Sequence, residues 1–165
     1  MRLRTTDFGI FVIFAALYAA GTLGTERTIG DIRILFYKVK PGEVASPLVA
    51  VFGVPSIMGL AVGQFIANMA SELGPIDLYT PGISLAGLAL IRYATRIPLI
   101  IRCLLYVAIT SPWIAFLLWS RHGVPPMDSA LSALLGQLIA VAIGYGALLA
   151  IRQTKIFETP VQPRA

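Results

Sequence analysis

Apolar runs alternate with short polar joints along the whole chain, covering residues 8–25, 43–52, 56–71, 77–93, 98–119 and 129–151. The stretch from Glu43 to Asp77 shows the pattern most sharply, because no Asp, Glu, Lys or Arg lies between Glu43 and Glu72. A water-soluble helix of that length carries a charged face, so this run calls for lipid. Gly53 and Pro55 interrupt it and predict two short helices. In the second of these, Gln64, Asn68 and Glu72 recur at every fourth position and share a polar face. Gly59, Gly63 and Ala67 form a neighbouring stripe of small residues that admits a close partner helix.

The flanking runs extend this reading. Residues 8–25 follow a short basic leader, and Ala19-Ala20-Gly21 resembles a weak signal-peptide cleavage site. More membrane follows, which favours a retained helix with two small-xxx-small pairs, Ala15/Ala19 and Ala16/Ala20. The one long polar connection, 24–42, is of a length that often marks a lid, the alternative being a plain solvated loop. After the turn at Leu73-Gly74-Pro75, Asp77, Thr80 and Ser84 share a helical face, and Pro81-Gly82 is expected to loosen or kink the first turn. Ser111-Pro112 predicts a kink in the fifth run. His122 sits in the following loop and is read as a loop residue, with no second histidine to form a metal site. The sixth run places Ser132, Gly136, Ala140 and Gly144 at four-residue spacing, with Gln137 near its centre. The fold expected is an all-α integral membrane bundle of about six transmembrane helices. It forms one transmembrane domain over 1–165, ending in a flexible tail, 153–165.

Composition supports that class. Of 165 residues, 57% are hydrophobic and 13% charged, against roughly 25% charged in an ordinary soluble domain. The mean hydropathy is +0.81. The single cysteine, Cys103, has no partner for a disulfide or a metal and is read as a small packing residue. The net charge of +5 does not indicate nucleic acid, because the basic residues sit at the ends of apolar runs. Six spans put both termini on one side. With that side cytoplasmic, Arg2, Arg4, Arg92, Arg96, Arg102, Arg152, Lys155 and Arg164 lie inside and Arg27, Arg33, Lys38, Lys40 and Arg121 outside. Glu43, Glu72 and Asp77 then collect at the outer end beside the long first loop.

Neither a phosphate loop nor any HExxH, GxSxG or CxxC pattern occurs, so the chain offers no support for an enzyme and implies no cofactor. What remains is an outward polar hollow formed by Glu43, Asn68, Glu72 and Asp77, with Tyr37, Phe36 and Tyr79 near enough in sequence to stack or to form a lid. Carboxyl groups in an apolar bundle are costly and tend to mark substrate pathways, although those at a helix end can simply face water.

These residues carry a resemblance. Ala16-Leu17-Tyr18-Ala19-Ala20, a basic residue ahead of Glu43, Gly63-Gln64-Phe65-Ile66-Ala67-Asn68, Leu73-Gly74-Pro75-Ile76-Asp77 and Gly82-Ile83-Ser84-Leu85-Ala86 resemble the queuosine-precursor (QueT-like) family. Its members are substrate-binding S components of energy-coupling factor transporters. The likeness runs from Ala15 to Leu90, and Lys40-Pro41-Gly42-Glu43 departs from the family's pattern of a basic residue, Ile, Ser and Glu. The resemblance implies capture of a 7-deazaguanine, in its aminomethyl or cyano form, from outside the cell. It also implies two kinds of partner, a transmembrane coupling protein and two ATPases, with Ala15, Ala16, Ala19 and Ala20 as the docking face. On that reading Glu43 accepts from the purine-like donor edge, Asn68 reads a carbonyl or ring nitrogen, Asp77 pairs with the aminomethyl cation, and Tyr37 or Phe36 stacks. An S component for another vitamin-like nutrient, and a helical scaffold or assembly subunit without a ligand, are the alternatives.

Overall fold

The computed structural model describes residues 5–28 and 32–153, and the tail expected at 153–165 lies almost wholly outside them. Six helices follow in order: α1 Thr5–Thr28, α2 Val49–Phe52, α3 Val54–Asn68, α4 Thr80–Tyr93, α5 Leu99–His122 and α6 Pro126–Gln153. A 3₁₀ helix, Pro41–Leu48, runs directly into α2, and another, Pro75–Tyr79, into α4. The helical membrane bundle read from the sequence is what forms. α1, α5 and α6 are each long and apolar enough to cross a membrane, while Pro41–Phe52 and Val54–Asn68 are apolar but shorter.

Local chemistry sets the breaks. Gly53 adopts φ +73 between α2 and α3, and Gly74 φ +77 ahead of the second 3₁₀ helix, conformations that L side chains avoid. Pro81 falls within the first two positions of α4, where no backbone N–H is required, so it starts the helix instead of kinking it as expected. Pro112 stays inside a continuous α5. The eight 3₁₀ residues before α2 rise ~2.0 Å each and its four α residues ~1.5 Å, about 22 Å together. That stays short of a hydrocarbon core of ~30 Å.

The connection from 24 to 42 is more structured than a polar loop. α1 continues to Thr28, and beyond residues 29–31 the strands β1 Arg33–Ile34 and β2 Tyr37–Lys38 pair antiparallel, Ile34 opposite Tyr37. Leu35, at the tip, holds φ 54, a left-handed conformation costly for a leucine. The Phe36 N–H donates to Ser132 Oγ of α6 (3.3 Å), which ties the hairpin to the bundle.

Small residues decide how closely the helices approach. A Cβ on Gly63 would lie 2.4 Å from the Ala15 carbonyl oxygen, and one on Gly59 2.4 Å from that of Phe11, so the stripe on α3 seats α1. A Cβ on Gly144 would lie 2.0 Å from the Val44 carbonyl oxygen, which seats α6 against the 3₁₀ helix. Phe14, Tyr18, Val49, Leu60, Leu88, Ile91, Cys103 and Tyr106 form the apolar core between them.

Candidate functional site

Asp77 lies in the first turn of α4's 3₁₀ lead-in and is 1% exposed. Its carboxyl group is fully engaged by neighbours from the turn after α3, the segment after the hairpin and the start of α4. Oδ2 accepts from Ser71 Oγ (2.6 Å) and from the Lys40 ammonium (2.7 Å), and Oδ1 accepts from Thr80 Oγ1. The same ammonium donates to Asn68 Oδ1 (2.6 Å), while Asn68 Nδ2 donates to the Asp77 carbonyl (2.8 Å). Trp113 of α5 donates its indole N–H to Thr80 Oγ1 (2.9 Å). Lys40 is therefore clamped between α3 and α4, with its side chain 11% exposed. An ion pair this enclosed is retained only because nearly every lone pair and proton has a partner.

A second polar cluster is centred on Glu43, 2% exposed inside the bundle. The 3₁₀ turn from Pro41 aims its carboxyl group inward. Tyr18 of α1 donates to Oε1 (2.7 Å), as does Gln64 of α3 (3.1 Å). Tyr106 of α5 donates to Oε2, and Ser46 reaches the same oxygen at 3.4 Å. A carboxylate offers about four acceptor positions, and all are met from within the protein. The close approach is built in: a Cβ on Gly42 would strike the Tyr18 ring at 2.6 Å, and one on Gly87 the Tyr106 ring at 2.6 Å.

Beneath the hairpin lies a cavity of about 220 Å³. Tyr37, Phe36 and Leu35 come from the hairpin, Lys40 from the segment after it, Ser71, Glu72 and Leu73 from the turn after α3, Leu118 and His122 from the end of α5, and Val124 from the connection to α6. Arg121 Nε donates to the Leu73 carbonyl (3.2 Å) and joins two of these walls. Tyr37 points inward, 3% exposed, and its hydroxyl accepts from Gln137 Nε2 (3.3 Å). Burial, and then the nearby Glu43 carboxyl, push its phenol well above the ordinary tyrosine range. It is a neutral group at any physiological pH.

The structure thus brings together Asn68, Asp77, Glu72, Tyr37 and Phe36 at the hairpin end, with Lys40 joining the first two to the cavity. Glu43 is placed one layer deeper: it does not line the cavity, and its acceptor positions are taken by Tyr18, Gln64, Tyr106 and Ser46. Tyr79 is 70% exposed and lies outside the cavity wall. Sequence reasoning missed Lys40 as a site residue, and it set His122 aside, although that residue lines the cavity. A lysine three residues ahead of the glutamate that opens the uncharged run was the available signal. The partners of Glu43 could not be read, because Tyr18 and Tyr106 stand 25 and 63 residues away in the chain. The two small-residue pairs on α1 divide: Ala15 packs on Gly63, whereas Ala16 and Ala20 are exposed.

A model of the QueT transporter family matches residues 10–153, from within α1 to the end of α6. The chain belongs to the QueT transporter family. Both polar clusters and the hairpin of this QueT-family chain lie inside the matched residues. No curated protein and no solved structure matches the chain.

Proposed function

We propose that this QueT-family chain is the substrate-binding S component of an energy-coupling factor importer, and that its cavity takes a queuosine precursor, a 7-deazaguanine, from outside the cell. The observation that carries the reading is the clamp of Lys40, Asn68 and Asp77 beneath an aromatic hairpin, at one end of an apolar bundle. Displacement of the Lys40 ammonium, which lines the cavity, opens an anionic position for an aminomethyl group at Asp77 behind it. Asn68 can turn its amide toward a carbonyl or ring nitrogen. Phe36, half-exposed on the cavity wall, supplies a stacking surface, and Glu72 and His122 complete the polar rim. Glu43 acts from below, holding Tyr18 and Tyr106, and Tyr79 stands at the outer surface.

In this reading the hairpin end faces outward and both termini face the cytoplasm, in keeping with the excess of arginine at the opposite end. Energy comes from a coupling protein and two ATPases, as the resemblance to energy-coupling factor S components implies, and the lack of a phosphate loop in the chain fits that division of labour. The exposed pair Ala16/Ala20 is the part of the small-residue face left free for the coupling protein, because Ala15 already serves the contact with α3.

Thermal unfolding of the detergent-solubilised protein tests the ligand. A compound that binds only the folded state stabilises it by about 2.7 kcal/mol at a hundredfold excess over Kd. 7-Aminomethyl-7-deazaguanine is expected to raise Tm, and Asp77→Asn to lose that response while keeping most of the response to the neutral 7-cyano form. If a vitamin raises Tm and neither deazaguanine does, the ligand is another nutrient. If nothing in a panel of deazapurines and vitamins does, the scaffold reading replaces this one.

A further inference from the structure

The cavity as it stands is small, about 220 Å³ against roughly 300–1,000 Å³ for typical small-molecule sites. Two of its walls are side chains that the hairpin segment inserts. The Tyr37 ring lies against α6 at Gly136, where an added Cβ would sit 2.3 Å from Cδ1, and its hydroxyl meets the Gln137 amide. Gln137 is 1% exposed and is held from its other side by Thr110, at 3.5 Å from Oε1. Three residues on, the Lys40 ammonium fills the position between Asn68 and Asp77. A flat ring over a glycine with an oxygen on a buried amide N–H, together with a cation on a carboxyl group, are the contacts that a cationic heteroaromatic molecule would make.

We propose that the slot at Gly136 and Gln137 is a ring-binding subsite, filled in this structure by the chain's own Tyr37 while Lys40 fills the cation position at Asp77. The ligand class follows from the stand-ins: a planar heteroaromatic with an acceptor such as a carbonyl on the edge facing Gln137, and a primary amine toward Asp77. This rests on the importer reading for the identity of the ligand, but not for the existence of the slot. Substrate and hairpin then compete. Tyr37 is a stand-in, not a stacking contact, and Gln137 becomes the residue that reads the ring.

The test uses the full-length protein in detergent with Tyr37→Ala, Tyr37→Leu and the double variant Tyr37→Ala/Gly136→Val. Tyr37→Leu is carried alongside so that the readout survives a failure of the alanine variant to fold. The probes are 7-aminomethyl-7-deazaguanine and p-cresol, which is the tyrosine side chain itself. Vacating the slot is expected to tighten the deazaguanine by the inverse of the fraction of time Tyr37 leaves it free, which is about tenfold for a plug seated ~90% of the time. p-Cresol is expected to raise the Tm of Tyr37→Ala, to leave wild type unchanged, to fail with the double variant, and to compete with the deazaguanine. Weaker deazaguanine binding in every single variant that folds overturns the proposal, since Tyr37 would then be a contact. If the deazaguanine binds none of the proteins, the importer ligand is wrong and p-cresol decides the slot alone: a Tm rise confined to Tyr37→Ala upholds it, and no rise overturns it.

Discussion

Replacing Glu43 by alanine removes one acceptor group on which donors from three helices converge. Tyr18 of α1, Gln64 of α3 and Tyr106 of α5 are 2%, 2% and 1% exposed, so water does not substitute. At ~0.6 kcal/mol, the average for an interhelical hydrogen bond in a membrane, three losses come to about 2 kcal/mol. At ~3 kcal/mol, the upper value for a buried unsatisfied donor, they come to about 9 kcal/mol. With about 2–4 °C of Tm per kcal/mol for a chain of this size, even the lower bound is a drop of at least ~4 °C. Glutamine is the control, because it keeps one acceptor and turns the other into a donor that a rotating tyrosine hydroxyl can meet by accepting. Glu43→Gln is therefore expected within about 1 kcal/mol of wild type. Thermal unfolding in one detergent, with ligand titration on each variant, reads both quantities. A Glu43→Ala protein as stable as wild type would refute the account of Glu43 as the tie between helices. Loss of ligand binding in Glu43→Gln at unchanged Tm would show that Glu43 touches the ligand after all.

Other expectations follow from the same geometry. Gly144→Ala pushes a Cβ into the Val44 carbonyl and is expected to cost about 1–3 kcal/mol, whereas Gly146→Ala, with nothing within 4 Å, is neutral; paired Tm measurements decide it. Because the folded-state Tyr37 phenol is raised, stability is full below the unfolded tyrosine value of 10.0 and declines above it, with a limiting slope of about 1.4 kcal/mol per pH unit for this one group. Tyr37→Phe should flatten the Tm profile between pH ~9.5 and 11; an identical profile would contradict the burial of that phenol. Ala16→Leu with Ala20→Leu, both on exposed positions, should leave Tm and ligand binding intact while abolishing uptake in cells that express the partner subunits. Ala15→Leu, by contrast, should lower Tm because Ala15 contacts Gly63.

The hydrophobic pattern by itself determined that this chain is a bundle of apolar helices, where most of them begin and end, and that Gly53 divides the central run. Those features are local: lipid demands long uncharged runs, and glycine or proline interrupts them wherever they stand. The four-residue spacing also placed Gln64 and Asn68 on one face of α3, because spacing along one helix fixes which side chains share a face. Tertiary structure alone decided what each polar residue meets. Sequence separation carries no information about Tyr106 reaching Glu43, about Gln137 receiving Tyr37 from a hairpin 100 residues away, or about Lys40 closing on Asp77. It also split the alanine pairs of α1 between an inner and an outer face, since that depends on the side from which α3 arrives. Packing assigns each buried donor its acceptor, and it is packing that turned a stretch read as a polar loop into a hairpin with its tyrosine in the bundle.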